Sequence, residues 1–491
     1  MTASSKDFLS FEGVRNIFER THLLNRTHNS ADFTKALKEI QKWIHECGFR
    51  GKTRIIDVSP NQEYNYWKIP ERWNIKNFAL KKVDGTVILD KSSHPLTLVP
   101  FSNAFSGKVT REELMKHIHV REDLPDAIPF VFRKMYRHWE NWWAIAMPAN
   151  LRKTLTDAEY IVEIETTFTP EPMQMLEYTV TGKSDRHIHL AGHLDHPGQC
   201  NDSLSGCYSA LWAVKKMEEK FAQTEFTYSV WIGPEIVGSA VYLDIEKDLA
   251  KKIAYCLCTN QLAHDAEFAL CLSKKADSML DRAMQLAVLS RGKHHKIARW
   301  HKYPDVGDEI SYDAPGLNIP TTTLSRIAEK FPYYHTSFDN LGVIDSGRDR
   351  FEEAVGVMAD AFSMMELNAI PVRNFVGNPS LANPRLNLYL DPTNMGNRLN
   401  LSSNREVRNL ATGEVLDLRN FQEFFLSNIE GNASLIDMAF ESKMPFDFTS
   451  AYAYAAAEKG LIDLKRNPVE GAYKRNVVPV SLTLSGELEL Q

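Results

Sequence analysis

From about residue 158 the chain alternates short apolar segments with longer amphipathic ones, and this alternation constrains the fold more than any other feature. The segments HIHLAGHL, FTYSVWI, KIAYCLC and PTTTLS have the composition of buried strands, whereas SLSGCYSALWAVKKMEEKF, SMLDRAMQLAVLS and FEEAVGVMADAFSMMEL are typical of helices. Strands that alternate with helices of this length predict an α/β fold with a mostly parallel, mixed sheet covered by helices on both faces. In such sheets, binding sites collect at the carboxyl ends of the strands.

The regions on either side of this alternation differ from it in their predicted pattern of helices and strands, so we expect three domains. The α/β domain is predicted to comprise residues 1–51, with two amphipathic helices, and residues 151–375. Residues 52–150 are predicted to form an inserted β-rich domain, in which the strands NFALKKV and TVILD flank a turn at Asp84–Gly85. Residues 376–491 are predicted to form a linker and a winged-helix-like domain. A length of 491 residues agrees with several domains rather than one.

The winged-helix interpretation rests on three short helical segments followed by the alternating stretch VVPVSLTLSGELEL. Residues 412–491 carry twelve Asp and Glu residues against seven Lys and Arg residues, a net charge of about -5. An acidic surface repels the phosphate backbone. We therefore expect no nucleic-acid partner and assign this domain a structural or protein-contact role.

Composition restricts the compartment and the class of partner. The formal net charge of the whole chain is -6, which gives no overall attraction to nucleic acid or to anionic membranes. No segment reaches the roughly 18 uninterrupted apolar residues that span a bilayer, and the N-terminus does not have the pattern of a signal peptide. The sequence therefore predicts a cytoplasmic protein without a membrane partner. Its oligomeric state stays open, and a homo-oligomer is compatible with the sequence.

A dense cluster of potential metal ligands follows the predicted strand HIHLAGHL. The stretch GHLDHPGQCNDSLSGC contains His193, Asp195, His196 and Asp202. Because His193 and Asp195 are two residues apart, they point to the same side of an extended chain, so Asp195 could accept the second imidazole N–H of His193. Asp202 would supply a hard oxygen ligand at the start of the next helix. The alternative is a polar turn that caps a strand and contains a core histidine.

Three further clusters follow other predicted strands. Glu235 comes after FTYSVWI, where a lone carboxylate is alternatively a helix cap. Asp308 and Glu309 are adjacent in a glycine-bounded loop, and His335 lies in the loop YYHTSFDNL, where Asp339 is an available partner. Histidine and carboxylate ligands in four such clusters predict a zinc hydrolase rather than a nucleophile triad. The sequence contains neither a nucleophile elbow nor a phosphate-binding loop.

The motifs HLDHPGQCNDSLSG, GPEIVGS, GDEISYDAPGLNIP and YYHTSFDNL resemble, in order and spacing, the zinc aminopeptidases related to bacterial leucyl aminopeptidase and glutaminyl cyclase. They more closely resemble a bacterial, aminopeptidase-like branch with an inserted domain of unknown function near the N-terminus and a C-terminal winged helix. The likeness extends to YNYWKIPERWNIKNFALKKVDGTVILD and HVREDLPDAIPFVF in the insert. It covers nearly the whole chain.

This resemblance implies a set of metal ligands. Asp202 matches the central, potentially bridging carboxylate, and His335 matches the ligand of the late loop. Glu235 matches the ligand glutamate and is counted among the catalytic carboxylates as well. Two residues compete for the early histidine, because His193 matches the broad group and His196 matches the closer branch. Both are kept as candidates.

The chain also departs from the family pattern in two places. Well-studied relatives carry a glutamate as general base before the ligand glutamate, but this chain has Pro234 there, so we assign the base to Glu309. Asp308 and Glu309 match the branch's acidic pair, which would hold the substrate amine or act on water. The family pattern also has an aspartate after the third strand. In this chain Asn260 lies near that place, and Asp265 is the nearest acidic residue. One zinc ion is therefore as compatible with the sequence as two.

These inferences predict a zinc-dependent, aminopeptidase-like hydrolase that cleaves an N-terminal peptide bond or a related amide. The substrate would be a small peptide or an aminoacyl amide, and the insert is expected to wall the cleft. Two alternatives remain. The chain could be a catalytically degenerate binding or regulatory protein on the same fold, or an amidase or cyclase in a specialised biosynthetic pathway.

Overall fold

The structure is a computed structural model, and the residues it describes fall into two compact units. The first unit comprises residues 1–269 and 300–355, and the second comprises residues 270–299 and 356–491. The described residues are 11–292, 294–299, 307–390, 407–466 and 477.

The helices and strands of the described residues are given in chain order. The first part of the chain forms α1 (Phe11–Thr21), α2 (Ala31–Glu46), β1 (Lys52–Val58), β2 (Glu63–Tyr64), β3 (Trp67–Lys68), β4 (Arg72–Lys82), β5 (Val87–Asp90), β6 (Phe105–Thr110), α3 (Arg111–Lys116), β7 (Ile118–His119), β8 (Ile145–Ala146), α4 (Ala149–Lys153) and β9 (Glu159–Thr169). The middle part forms β10 (Met173–Val180), β11 (His187–His193), α5 (Gly206–Lys220), β12 (Thr227–Gly233), α6 (Val237–Ile245), α7 (Lys247–Ala250), β13 (Ile253–Thr259), β14 (Phe268–Leu272), α8 (Met279–Leu289), β15 (Lys296–Arg299), α9 (Glu309–Tyr312), β16 (Thr321–Arg326) and α10 (Leu341–Ser346). The last part forms α11 (Arg348–Leu367), β17 (Ala369–Arg373), α12 (Leu418–Ser427), α13 (Leu435–Ser442), α14 (Phe446–Glu458) and β18 (Ile462–Arg466).

The first unit is built on a mixed sheet, as the alternation of strands and helices predicts. Six of its strands are neighbours in the order β1-β10-β12-β11-β13-β16. The pairs β12–β11, β11–β13 and β13–β16 are parallel, whereas β1–β10 and β10–β12 are antiparallel. Every residue of β11, β12 and β13 is buried, which is typical of strands covered on both faces. The predicted α/β fold class is confirmed.

Successive residues of β11 show how both faces are covered. Gly192 faces helix α5, since a Cβ built on it would lie 3.1 Å from the Cα of Cys207. Its neighbour Ala191 packs on the opposite face, in an apolar cluster with Val241 of α6 and Tyr312 of α9. Only a glycine allows the backbone of α5 to approach the central strand this closely.

The predicted insert contains its own antiparallel sheet, with strand order β5-β4-β9-β6 and an apolar core that includes Trp73, Phe78 and Tyr160. The predicted turn at Asp84–Gly85 joins β4 to β5, and the positive φ of +92° at Gly85 favours glycine there.

Two strands pair across the predicted limits of the insert, residues 52–150. Strand β1 pairs with β10 of the main sheet, and β9, beyond residue 150, pairs with β4. Each partner is remote in sequence, so strand composition could not reveal these pairings. The division into three domains otherwise stays a prediction.

The second unit contains the three helices predicted near the C-terminus, α12, α13 and α14. Asp417 caps α12, and Ser434 and Asp437 form a capping box at the start of α13. Strand β18 pairs antiparallel with β17. The predicted wing, VVPVSLTLSGELEL, lies outside the described residues apart from Val477, so the winged helix stays a prediction. In the described part of the chain, no helix combines the length and the apolar character that crossing a bilayer requires.

A buried arginine fixes the turn that follows β11. The Arg26 side chain is fully buried in the connection between α1 and α2. Its guanidinium donates hydrogen bonds to the carbonyls of Leu194 (2.8 Å), Gln199 (2.7 Å) and His196. It also donates to two carbonyls at the end of α1 and just after it, those of Thr21 and His22, at 2.7 Å each. One cation therefore satisfies carbonyls that a tight polar turn would otherwise leave buried without partners.

We expect Arg26→Met to lower the free energy of unfolding by about 3 kcal/mol or more, because it leaves several buried carbonyls without donors. Denaturant unfolding monitored by circular dichroism measures this loss. Arg15→Met is the matched control. Arg15 forms ion pairs with Asp345 and Glu19 at the surface, where its side chain is 26% exposed, so a loss below about 1 kcal/mol is expected. Equal losses in the two variants would contradict this role of Arg26.

Candidate metal centre

The site forms where three strands of the main sheet end. Strand β11 ends at His193, and β12 ends at Gly233, two residues before Glu235. These strands are parallel, with His193 opposite Gly233. The side chains of His193 and Glu235 therefore reach the same edge of the sheet. Strand β16 precedes the turn that contains His335, whose φ is +56°.

All five predicted metal ligands converge at this edge. The Asp202 carboxylate is central, because its Oδ1 lies 3.3 Å from His193 Nε2, and its Oδ2 lies 3.3 Å from His335 Nε2 and 3.6 Å from His196 Nε2. Glu235 approaches from the opposite side, with Oε1 3.8 Å from His193 Nε2 and Oε2 3.9 Å from His196 Nε2. Both candidates for the early histidine are therefore at the site.

The donor atoms fit a divalent cation. They form two groups of three, His193–His196–Glu235 and His196–Asp202–His335, and the ligand atoms of each group lie within 4.8 Å of one another. Asp202 Oδ2 and His335 Nε2 are buried and have no hydrogen-bond partner among the residues that the structure describes. Such atoms are costly unless something coordinates them. Imidazole nitrogens and carboxylate oxygens together match the ligand preference of zinc.

The centre is open to solvent on one side. The side chains of Glu235 and His335 are 19% and 17% exposed, whereas those of His193, His196 and Asp202 are at most 4% exposed. A substrate would therefore approach past Glu235 and His335.

The pKa values reflect this crowding. Burial, together with the neighbouring carboxylates, raises the pKa of Glu235 well above its usual range. Burial alone would lower the pKa of His193, but the carboxylates of Glu235, Asp202 and Asp308 raise that pKa well above its usual value. Three carboxylates thus compete for one imidazole. A bound divalent cation would relieve their repulsion.

Asp308 orients His193. Its Oδ2 lies 3.4 Å from His193 Nδ1, the ring nitrogen that faces away from Asp202. Its Oδ1 accepts hydrogen bonds from Ile236 N (2.8 Å) and Ser239 Oγ (2.6 Å). A carboxylate behind a ligand histidine fixes its tautomer and ring orientation. Since both oxygens are engaged, this geometry favours an orienting role for Asp308 over the predicted contact with a substrate amine.

The predicted partner of His193 was wrong. Asp195, expected to accept from His193, has Oδ2 2.6 Å from His28 Nε2 and accepts a hydrogen bond from Glu235 N at 2.8 Å. Burial would raise the pKa of Asp195, but His28 holds it below the usual range. The two-residue spacing does place both side chains in the site. However, the tertiary partner of Asp195 comes from the loop between α1 and α2.

Asp339 holds the backbone around the central ligand. Its carboxylate accepts hydrogen bonds from Asn201 N (2.7 Å) and Asp202 N (2.8 Å). Burial raises the pKa of Asp339 to about 8. Sequence analysis identified Asp339 as an available partner in the loop of His335, and the structure shows that it supports Asp202.

Glu309, the predicted general base, lies beside the candidate ligands. It begins the short helix α9 rather than lying in a loop, and its Oε1 accepts a hydrogen bond from Gly307 N at 3.0 Å. A Cβ built on Gly307 would lie 3.3 Å from Glu235 Oε1 and 3.5 Å from Glu309 Oε2, so both carboxylates border this glycine. Burial raises the pKa of Glu309 to about 7. A carboxylate that binds a proton near neutral pH suits general acid–base catalysis.

The structure does not bring Asp265 into the site. Asp265 forms an ion pair with Arg350 at 2.9 Å, and its side chain is 84% exposed. Among the residues that the structure describes, neither of the two ligand groups contains Asp265. These two groups share His196. The number of ions stays a prediction.

The insert walls the site with aromatic side chains, as predicted. The ring centroid of Phe130 lies 5.0 Å from that of His196 and 5.2 Å from that of His335, and Phe132 lies 5.3 Å from His335. Backbone hydrogen bonds fix this contact, from Phe130 N to His335 O (2.8 Å) and from Ser337 N to Ile128 O (2.9 Å). The insert therefore forms part of the cleft.

Sequence reasoning missed Arg26 and His28, which support the turn after β11. Both lie in the stretch NRTHNS between the first two helices, more than 160 residues before the turn. The one available signal was a cluster of polar residues between two strongly amphipathic helices. That signal does not reveal which distant backbone these side chains contact.

Comparisons with known proteins agree with this fold. A Clostridium acetobutylicum protein, named as a polysaccharide biosynthesis protein with an aminopeptidase-like domain, is 24% identical over 438 residues, covering 88% of this chain and 92% of its own length. A crystal structure of a peptidase-type protein from Clostridium acetobutylicum matches with a TM-score of 0.76 at 22% identity and covers 94% of this chain and 97% of that one. The structure of a zinc aminopeptidase from Bacillus subtilis matches with a TM-score of 0.50 at 12% identity, over 72% of this chain and 94% of that one.

At these identities, the structural matches establish the fold alone. The resemblance to aminopeptidase-like proteins is thereby confirmed, and the chain has the fold of the zinc aminopeptidases. A family model described as a domain of unknown function, DUF4910, matches residues 15–368. This range contains every predicted ligand and the whole insert, so the chain belongs to the DUF4910 family.

Proposed function

We propose that this protein is a zinc-dependent hydrolase that cleaves an N-terminal peptide bond or a related amide in a small peptide or aminoacyl amide. The observation that carries the proposal is the convergence of three imidazoles on the buried Asp202 carboxylate. Within the described part of the chain, Asp202 Oδ2 and His335 Nε2 lack hydrogen-bond partners. The aminopeptidase fold supports the same chemistry.

The candidate ligands are His193, His196, Asp202, Glu235 and His335. A zinc ion held by such ligands polarises a carbonyl and lowers the pKa of water toward about 7. Glu309 removes a proton from the attacking water, whose oxygen bonds to the amide carbon. The same carboxyl group then returns the proton to the amine that leaves as the C–N bond breaks.

Residues outside the ligand set hold these groups in place. Asp308 fixes the ring of His193, and Asp195 fixes the backbone of Glu235. The aromatic wall of the insert excludes water from one side of the cleft, which strengthens electrostatic interactions within it.

A second candidate function is the cleavage of an amide in a glycan-linked biosynthetic intermediate. The name of the Clostridium acetobutylicum relative favours it. So do the exposed aromatic side chains of the insert, among them Tyr66 (94% exposed) and Trp139 (58% exposed), which offer apolar faces to a ring-shaped group. A substrate panel that includes N-acyl amino sugars beside aminoacyl anilides separates the two candidates. Cleavage of the N-acyl amino sugars alone would favour the second.

We expect the purified protein to bind at least one equivalent of zinc, and Asp202→Ala and His335→Ala to weaken binding by about tenfold or more, because each removes a central ligand. Elemental analysis and competition with a chelating dye measure this. His45→Ala, at an exposed position of α2, is the control and should retain zinc. Wild-type protein with less than about half an equivalent would instead support a degenerate binding protein.

We expect Glu309→Gln to lower kcat by about a hundredfold to ten-thousandfold, because the amide cannot accept the proton from water. Zinc content and the circular dichroism spectrum should be unchanged. Glu423→Gln, at an exposed position of α12, is the control and should leave kcat unchanged. A Glu309→Gln variant with wild-type kcat would assign the general base to another group.

A further inference from the structure

The insert brings a phenol to the metal centre. Tyr136 ends a short 3-10 turn, Arg133–Tyr136, and its ring contacts residues inside and outside the predicted insert. The ring centroid lies 5.6 Å from that of His28, the partner of Asp195, and 6.4 Å from that of Phe132, which packs on His335. Trp67 packs on it from the β2–β3 hairpin at 6.4 Å. Tyr136 therefore lies between His28, which supports the ligand turn through Asp195, and Phe132, which packs on His335.

The loop that carries Tyr136 is held by a buried lysine. Lys134 is 3% exposed, and its Nζ donates hydrogen bonds to Asn103 Oδ1 (3.2 Å), Trp142 O (3.3 Å) and the carbonyl of Glu140. Three acceptors on both sides of the turn restrict its backbone. The position of the phenol is therefore set before any substrate binds, which lowers the entropy cost of a contact with it.

The Tyr136 hydroxyl is available for a contact. It makes no hydrogen bond with any residue that the structure describes. Burial raises the pKa of Tyr136 far above its usual value, and the carboxylates of Glu235, Asp195 and Asp308 are near enough to raise it further. The hydroxyl therefore stays neutral and can still accept a hydrogen bond.

We propose that Tyr136 contacts the substrate directly, and that its hydroxyl oxygen accepts a hydrogen bond from the substrate's α-ammonium group in the space beside Glu235. This inference rests on the proposed function and assigns to the insert a part in recognising a free amine. The ring of Tyr136 packs on His28, which pairs with the buried Asp195 carboxylate, and Asp195 accepts a hydrogen bond from the backbone of Glu235. These two carboxylates favour a cation over an anion beside the phenol. Asp308 is occupied by His193, Ile236 and Ser239, so the amine needs an acceptor other than the predicted one.

Tyr136→Phe tests this contact, because it removes the hydroxyl and keeps the ring that packs on His28 and Phe132. We expect kcat/KM for an aminoacyl anilide to fall about tenfold to a hundredfold, mainly through KM, since the amine is held alike in the ground state and the transition state. For the des-amino analogue of the same anilide, the variant and the wild type should be equal. Zinc content should be unchanged. Tyr389→Phe, at a position of the second unit that is 45% exposed, is the matched control.

A binding measurement tests the inference separately from hydrolysis. Calorimetry on zinc-loaded protein compares L-leucine with its des-amino analogue, 4-methylpentanoate. We expect wild-type protein to prefer L-leucine and Tyr136→Phe to lose most of that preference. Failure of wild-type protein to cleave any substrate would refute the proposed function, while a preference that depends on Tyr136 would still support the amine contact. No amine preference in wild-type protein, or the same preference in both proteins, would overturn the inference.

Discussion

The Asp202 carboxylate is the group on which the candidate site depends. It is buried among three imidazoles, and no residue in the described ranges forms a hydrogen bond with its Oδ2. A buried, charged oxygen of this kind is stable only when other groups or an ion compensate for its lost hydration. His193 and His196 lie in the same motif as Asp202, whereas Glu235 and His335 follow strands that are far from it in the sequence. The parallel strands of the sheet bring them together, so the fold and the site share one geometric cause.

Several other groups in the first unit hold this arrangement in place. Asp308 lies behind His193, Asp339 accepts from the backbone of Asp202, and Asp195 accepts from the backbone of Glu235. Arg26 satisfies the carbonyls of the turn that carries His196. Each of these groups acts on a ligand or on its backbone. Asp195 and Asp308 pair with His28 and His193, and Arg26 pairs with backbone carbonyls, which offsets part of the cost of burying these ionisable groups.

The insert belongs to the site as well as to its own sheet. It contributes Phe130 and Phe132 against the ligand histidines, and its backbone pairs with the turn of His335. The fold of the zinc aminopeptidases supplies the sheet edge, whereas the insert shapes the space above it. Selectivity for a substrate would therefore depend on the insert, and the proposed contact of Tyr136 is one way in which it could act.

The sequence alone determined the α/β class, the strands that carry the ligands, and the candidates themselves, because buried parallel strands and ligand side chains are strong local signals. His193, His196, Asp202, Glu235 and His335 all lie in clusters at the ends of predicted strands, and the family resemblance implied their roles as ligands. Only the tertiary structure decided their partners. The pairings of Asp195 with His28, of Asp308 with His193, and of Arg26 with the turn after β11 join residues that are 115 to 173 positions apart. Such pairings follow from how the elements pack, and no local pattern of residues encodes them. The pairing of β9 with β4, across the predicted limit of the insert at residue 150, is of the same kind, since some 80 residues of chain separate the two strands.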